Sequence, residues 1–257
     1  MLSKQRLKMH RFTFQLSPML FVALMLPWFA QAGPQLDVGA LYDYLEPGKG
    51  TSAKRIYNRG DSTAFVKVSV LELVYDGQAE PREVEIDQLP FDQRSVVASP
   101  ARMIIPARGM QAVRLLYRGE RDRERYYRLR FIPVVPQQDD SFALDETELE
   151  AYREELSAGV QFLAGFGTIL ITQPAATQYQ TSIEQAGGKW TVRNEGNATV
   201  LLDNVQACVL LDDQCDPPAK QHLRPGRTRD FVEKPGVEYR FELVEGDARK
   251  AMNFKAG

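Results

Sequence analysis

Runs in which apolar and polar residues alternate recur along the chain, a pattern typical of half-buried β-strands. The longest covers residues 61–75, where Val66, Val68 and Val70 share one face of the predicted strand. Further strands are predicted at residues 101–105, 111–117, 126–135, 190–193, 199–202, 206–211 and 239–244. Turn residues separate these runs, so the spacing predicts an all-β chain built of β-sandwich domains.

One segment, residues 160–171, is apolar on both faces of the strand that it predicts. One face carries four apolar side chains, those of Val160, Phe162, Ala164 and Phe166. The opposite face includes Leu163 and Ile169, because successive residues of a strand point to opposite sides. A fully buried central strand gives this pattern, and so does a strand that offers an apolar edge to another chain.

The stretch before this segment, residues 137–155, contains eight acidic residues and interrupts the alternation. Charge-rich runs are usually solvated, so we expect a solvated, mobile loop here, with at most one helical turn near residues 147–156. This loop leads directly into the doubly apolar segment.

The first 32 residues have the pattern of a secretory signal peptide. A basic leader precedes an apolar run at residues 19–30, and Ala30-Gln31-Ala32 is a small-x-small cleavage site. The apolar run is too short for a membrane span, although an uncleaved anchor is the alternative. We expect cleavage after Ala32, export, and no membrane insertion of the mature chain.

Charge and cysteine content narrow the possible functions. The leader holds four basic and no acidic residues, so its removal changes the formal net charge from −2 to −6. A mildly acidic chain is a poor candidate for binding nucleic acid. Cys208 and Cys215 are the two cysteines, and in an exported chain such a close pair predicts a disulfide. A zinc site would need further cysteine or histidine ligands, and His222 is the one histidine outside the leader. We expect no cofactor.

The mature chain of 225 residues has room for two domains. The strand pattern starts again after Pro174, so we predict one domain at 33–173 and a second at 174–257. No nucleophile elbow, metal-ligand cluster or phosphate-binding loop is recognisable in the sequence, so an enzyme is the least favoured class.

The order of these elements resembles that of the PapD-like periplasmic pilus chaperones. The resemblance covers nearly all of the mature chain, and the spacing and the cysteine pair are most similar to the alternate branch, which serves fimbriae of the coli-surface-antigen type. Its successive elements are AKRIYN at 53–58, the strand at 65–75, the stretch from Ser99-Pro100 to Gly109 with Val113-Arg114-Leu115, YRLRF at 127–131 with Pro133, the apolar segment at 160–174, and VRNEGNATV at 192–200.

The resemblance implies two immunoglobulin-like β-sandwich domains arranged as an L, with a cleft between them. It also implies a periplasmic chaperone that completes pilin subunits by donor-strand complementation and delivers them to an outer-membrane usher. The donor positions are then Val160, Phe162, Ala164 and Phe166. The opposite face, with Leu163 and Ile169, is expected to serve the chaperone's own core.

In the common branch of this family, two basic residues in the cleft hold the terminal carboxylate of the pilin. The matching positions here are Tyr42 and Ile169, and neither side chain can form an ion pair. The alternate branch has an arginine in the second strand, which Arg55 matches. Arg128 and Arg130 lie on a strand expected to neighbour the donor strand, so all three arginines are candidate carboxylate anchors, with a solvated sheet face as the alternative for each.

A structural or adhesive protein of the envelope is the second hypothesis, because it would share the signal peptide, the disulfide and the sandwich pattern. A pilus subunit would carry a polymerising extension at its mature N-terminus, where residues 33–41 form a short strand at best. A sugar-binding module would be expected to expose aromatic residues, and neither Trp28 in the leader nor Trp190 suits that role.

Overall fold

The computed structural model describes residues 33–76, 80–137, 142, 144–157, 163–212 and 214–255. The predicted signal peptide at 1–32 lies outside the described residues, as do Val160 and Phe162 of the proposed donor face.

The first half of the chain forms a sandwich of two sheets. Its strands are β1 (Leu36–Asp37), β2 (Tyr42–Leu45), β3 (Thr51–Asn58), β4 (Ala64–Val74), β5 (Arg82–Glu85), β6 (Val96–Ser99), β7 (Arg102–Ile105), β8 (Met110–Tyr117), β9 (Arg125–Pro133) and β10 (Phe166–Thr172). The first sheet has the order β1-β3-β8-β6, and the second has the order β2-β10-β9-β4-β5, with β7 paired to β4. Two short 3-10 helices, Ile86–Gln88 and Phe91–Gln93, lie between β5 and β6.

The core of this sandwich follows the predicted alternation. Val66, Val68 and Val70 of β4 are buried between the two sheets, while Lys67 on the opposite face is exposed. Leu129 of β9 lies in the same core and is fully buried. The apolar face of each strand thus meets the other sheet, which is how a two-sheet sandwich buries its hydrophobic residues.

The acidic stretch is not a solvated loop with one helical turn. It contains the helix α1 (Glu146–Ser157). Asp145 and Glu148 form a capping box, in which each carboxylate accepts the backbone N–H of the other residue at 2.8–3.0 Å. Tyr152 is buried with its ring centroid 4.7 Å from that of Phe65 on β4. Because acidic residues dominate this stretch, the sequence pattern did not reveal that apolar residues such as Tyr152 pack the helix against β4. Among the described residues, no helix is long and apolar enough to cross a membrane.

The second half of the chain forms a second sandwich. Its strands are β11 (Thr181–Ala186), β12 (Lys189–Asn194), β13 (Val200–Val209), β14 (Gln214–Cys215), β15 (Ala219–Leu223), β16 (Thr228–Val232), β17 (Val237–Glu245) and β18 (Ala248–Lys255). One sheet has the order β11-β12-β16, and the other has the order β14-β13-β17-β18, with β15 paired to β13. Trp190 lies in this core and stacks on Phe254 with 5.4 Å between ring centroids.

The predicted disulfide is present in the second sandwich. Cys208 on β13 and Cys215 on β14 face each other in the strand register and are bonded, with their Cα atoms 4.0 Å apart. Within the described residues no sheet contains strands from both halves of the chain. The exact domain boundary at Pro174 stays a prediction.

Candidate strand-pairing edge and cleft

The outer edge of β10 is covered along only part of its length. β10 pairs with β9 from Phe166 to Thr172, whereas its parallel pairing with β2 runs only from Ile169 to Thr172. The backbone N–H of Ile169 donates to the carbonyl oxygen of Leu41 at 2.8 Å. Since backbone groups alternate in direction along a strand, the N–H and C=O of Gly167 point to the same outer side. In the described part of the chain, β10 therefore has an open edge before Ile169.

The two faces of β10 have different surroundings. Thr168 and Leu170 are fully buried between the sheets, and Phe166 packs against the same core. Ile169 on the opposite face is only half-buried. Ile171 on that face is buried as well, but it lies outside the core cluster between the sheets. The expectation that the Ile169 face serves this core is therefore wrong, because a period of two separates the faces without saying which one meets the second sheet.

The inner face nevertheless becomes free at the start of β10. Ala164 has the same parity as Phe166, precedes the strand and is exposed. Of the four proposed donor residues, the structure thus describes an exposed Ala164 and a half-buried Phe166, while Val160 and Phe162 lie outside the described residues. The face of β10 that is buried against the core at Leu170 is therefore exposed at Ala164.

Tyr42 and Ile169 are the positions that match the carboxylate anchors of the common branch, and they lie side by side on the outer face of this sheet. Tyr42 of β2 is the register partner of Ile169, and Ile169 is the partner of Arg128 on β9. In the next row of the same face, Gly167 is the partner of Arg130. The structure therefore brings Arg128 and Arg130 next to the positions at which the sequence lacks basic residues.

A groove of about 530 Å³ lies over these rows. It exists because Gly165 and Gly167 add no side chain to the outer face. A Cβ added at Gly167 would lie 3.9 Å from Cγ and Cδ of Arg128, so the glycine leaves the stem of this arginine uncovered. Leu41, Tyr42, Arg130 and Ile132 are among the other residues that line the groove.

Arg128 and Arg130 share a single carboxylate, that of Glu83 on β5. Arg128 Nη1 contacts Oε1 of Glu83, and Arg130 Nη2 lies 2.5 Å from Oε2. The two arginine side chains are 37% and 36% exposed, so solvent and a partner both have access to them. Two guanidinium groups against one carboxylate leave this cluster with a net positive charge.

Arg55 is not part of this arrangement. It lies on β3, in the other sheet, and is exposed on that strand's outward face, where its register partner is Ala112 of β8. The buried basic residue of β3 is its neighbour Lys54, whose Nζ is 2.7 Å from Oδ2 of Asp43 and 2.7 Å from the carbonyl oxygen of Ala40.

Sequence reasoning missed Lys54, although a signal was present. Lys54 has the same parity as Ile56 and Asn58, which are buried, so it occupies an inward-facing position. The ion pair with Asp43 joins β2 to the opposite sheet beside the place where β2 meets β10. Asp43 itself is the register partner of Leu170 in the pairing of β2 with β10.

Near Tyr42 and Tyr44 of β2, the outer face of this sheet contacts the second sandwich. The hydroxyl of Tyr44 and Nδ1 of His222 are hydrogen-bonded at 2.6 Å, and the ring of Tyr42 stacks on His222 with 3.6 Å between centroids. Glu124 accepts the backbone N–H of Thr199 at 2.7 Å and its hydroxyl at 2.5 Å. Burial of these groups lowers the pKa of His222 to about 4 and raises the pKa of Glu124. Sequence analysis gave no role to either residue.

The chain is similar in sequence to fimbrial chaperones. No family model matches it. A protein of Klebsiella pneumoniae (strain 342) named "Probable fimbrial chaperone EcpB" is 28% identical over 218 residues, which cover 82% of this chain and 88% of that protein. A protein of the same name from Escherichia coli O157:H7 (strain EC4115 / EHEC) is 27% identical over 237 residues, which cover 89% of this chain and 96% of that protein.

The fold is similar to that of solved chaperone structures. The class 5 fimbriae chaperone CfaA superposes with a TM-score of 0.53 at 17% identity, over 87% of this chain and 100% of CfaA. A chain of the CsuC–CsuE chaperone–tip adhesion subunit complex, from archaic chaperone-usher Csu pili of Acinetobacter baumannii, superposes with a TM-score of 0.50 at 15% identity, over 86% and 98%.

These comparisons confirm the resemblance read from the sequence and the predicted fold of two immunoglobulin-like sandwiches. Both sequence relatives are named as probable fimbrial chaperones, a class of proteins that are not enzymes.

Proposed function

We propose that this protein is a periplasmic chaperone that lends the open edge of β10 to a pilin subunit by donor-strand complementation. The open edge before Ile169 is the observation that carries the proposal. Unpaired backbone groups on such an edge are a template for a strand of another chain. The signal peptide pattern of residues 1–32 supports export to the periplasm.

The inner face of the donor segment supplies the side chains. Val160, Phe162 and Ala164 have the same parity in the sequence as Leu170, whose side chain covers the core. In a subunit whose own last strand is missing, these side chains would replace the absent residues of its core. Burial of one side chain such as Phe162 would contribute about 1.5–3 kcal/mol to the complex.

The terminal carboxylate of the subunit is held by Arg128 and Arg130. The groove over Gly167 gives an extended chain end access to both guanidinium groups, and arginine is well suited to binding a carboxylate through two parallel hydrogen bonds. Arg55 has no part in this site, because it lies on the outward face of the other sheet.

The loaded chaperone then delivers its subunit to an outer-membrane usher. Support for this step comes from the Csu complex, in which a chaperone of a chaperone-usher pilus is bound to a tip adhesion subunit. The partners of this protein are accordingly a pilin and an usher, and no cofactor takes part.

Periplasmic co-expression with a candidate pilin from the same bacterium, followed by purification, tests the proposal. We expect a one-to-one complex. Gly167→Pro removes the N–H that points to the open side, and a proline is tolerated where a strand edge faces solvent. This variant should keep its thermal melting temperature within a few degrees and lose the pilin.

Thr168→Pro is the matched control, because the N–H of Thr168 points to β9 and its loss breaks the ladder within the sheet. This variant should melt at a clearly lower temperature. A Gly167→Pro protein that is folded and retains the pilin at the wild-type level would show that the open edge is not used.

A further inference from the structure

Glu83 pairs with Arg128 and Arg130 although its strand, β5, is not adjacent to theirs, β9. It lies on β5, where its register partner is Leu73 of β4, and it reaches across β4 to contact two residues of β9. Each of its two carboxylate oxygens contacts a different arginine, Arg128 or Arg130. A carboxylate of this protein therefore occupies the guanidinium groups that are proposed to receive a carboxylate of the subunit.

This contact is open to exchange. The side chain of Glu83 is 30% exposed, and the arginines are slightly more so. Exposed ion pairs contribute little net free energy, because the charges are well solvated when they separate. Each guanidinium has five N–H donors in a planar fork, so a new carboxylate needs only some of them to be released.

We propose that Glu83 is an internal competitor for the carboxylate site. In the free protein it satisfies Arg128 and Arg130, and when a subunit binds it gives up at least one of them to the terminal carboxylate. Two carboxylates at one arginine pair repel each other, so Glu83 lowers the affinity for the subunit and favours its release. This inference rests on the proposed function.

The opposite role is a positioning residue that holds the two arginines ready for the subunit. The two roles predict opposite effects of the isosteric substitution Glu83→Gln, which removes the charge and keeps the size. Loss of a competitor strengthens binding, whereas loss of a positioning residue weakens it.

The test compares the dissociation constants of purified wild-type and Glu83→Gln chaperone for the co-purified pilin. We expect binding of the variant to be roughly three- to thirtyfold tighter, the effect of removing one or two exposed ion pairs. Glu85→Gln is the matched control. Glu85 lies on the same strand, and its carboxylate accepts a hydrogen bond from Gln88 rather than from an arginine. It should bind like wild type.

A second arm uses the same pilin extended by a few residues at its C-terminus, which moves the free carboxylate away from the site. The gain from Glu83→Gln should then disappear. A gain that persists with the extended pilin, or one that Glu85→Gln reproduces, would overturn the inference in favour of a general charge effect. Unchanged or weaker binding of Glu83→Gln to the normal pilin would overturn it as well.

The failure of the inference is separable from that of the proposed function. If wild-type protein forms no complex with any cognate pilin, the proposed function fails. If wild type binds, Gly167→Pro does not, and Glu83→Gln shows no gain, strand pairing stands and the role of Glu83 is rejected.

Discussion

The backbone N–H of Ile169 donates to the carbonyl oxygen of Leu41 at 2.8 Å, and this bond lies at the start of the parallel ladder between β10 and β2. From Ile169 onward the outer edge of β10 is paired with β2, and before Ile169 this edge is unpaired in the described part of the chain. The length of strand that can be lent to a partner is therefore determined by the point at which β2 joins. That point in turn depends on the contacts of β2 with the rest of the sandwich.

Substitutions on the donor face should separate binding from folding. Phe162→Asp and Ala164→Asp place a charge in the apolar groove of the subunit, which costs several kcal/mol without a partner, so both should abolish pilin binding. Ala164 is exposed, so Ala164→Asp should leave the melting temperature of the free protein nearly unchanged. A pilin pull-down paired with a thermal melt measures both effects.

Two variants provide the comparison for this experiment. Ala53→Asp introduces the same charge at an exposed alanine of β3 and should bind pilin normally. Leu170→Asp buries a charge in the core and should unfold the protein. Normal pilin binding by both Phe162→Asp and Ala164→Asp would show that this segment is not the donor strand.

Removal of the arginine pair should weaken the complex more than removal of Arg55. Arg128→Ala or Arg130→Ala eliminates charge-assisted hydrogen bonds worth about 1.5–3 kcal/mol each, so the dissociation constant should rise about tenfold or more. Arg55→Ala should change it by less than about twofold, since Arg55 lies on the other sheet. Titration of each variant with purified pilin decides the matter, and a larger loss for Arg55→Ala would restore it as the anchor.

The buried Lys54–Asp43 ion pair should stabilise the fold. Lys54 is 5% exposed, and Lys54→Met leaves the carboxylate of Asp43 without its main cation, which should cost about 1–3 kcal/mol of unfolding free energy. The second substitution Asp43→Asn should recover part of this loss. Urea denaturation measures both, and Lys67→Met, at an exposed position of β4, should have little effect. Equal losses for the Lys54 and Lys67 variants would contradict a special role for the buried pair.

His222 should make stability depend on pH. Its pKa is lowered from 6.5 to about 4 in the folded protein, mainly by burial, so between these values the unfolded chain binds more protons. Stability should therefore fall as the pH decreases from about 6.5 to about 4, with no further loss from this residue below pH 4. Urea denaturation at pH 7 and pH 5 should show a smaller decrease for His222→Gln than for wild type. An identical decrease in both proteins would mean that another group is responsible.

Features that depend on residues close together in the sequence were predictable. The alternation of Val66, Val68 and Val70 predicted a strand with one buried face, and the short spacing of Cys208 and Cys215 predicted their disulfide. The order of short motifs along the chain predicted the family and, through it, the two-sandwich fold. Each of these inferences needs only the period of a strand or the distance between neighbours in the chain.

Features that depend on how strands meet were decided by the tertiary structure. Alternation showed that β10 has two faces, but only its place beside β9 and β2 shows that Leu170 faces inward and that the edge opens before Ile169. Lys54 and Arg55 are adjacent in sequence, yet one is buried against Asp43 and the other is exposed. Arg128, Arg130 and Glu83 come from strands far apart in the chain, and their contact exists because the sheet order brings them together. Sequence by itself predicted the long strands, though not the helix α1, and the family that the chain resembles, whereas the register and order of the strands determined which side chains meet.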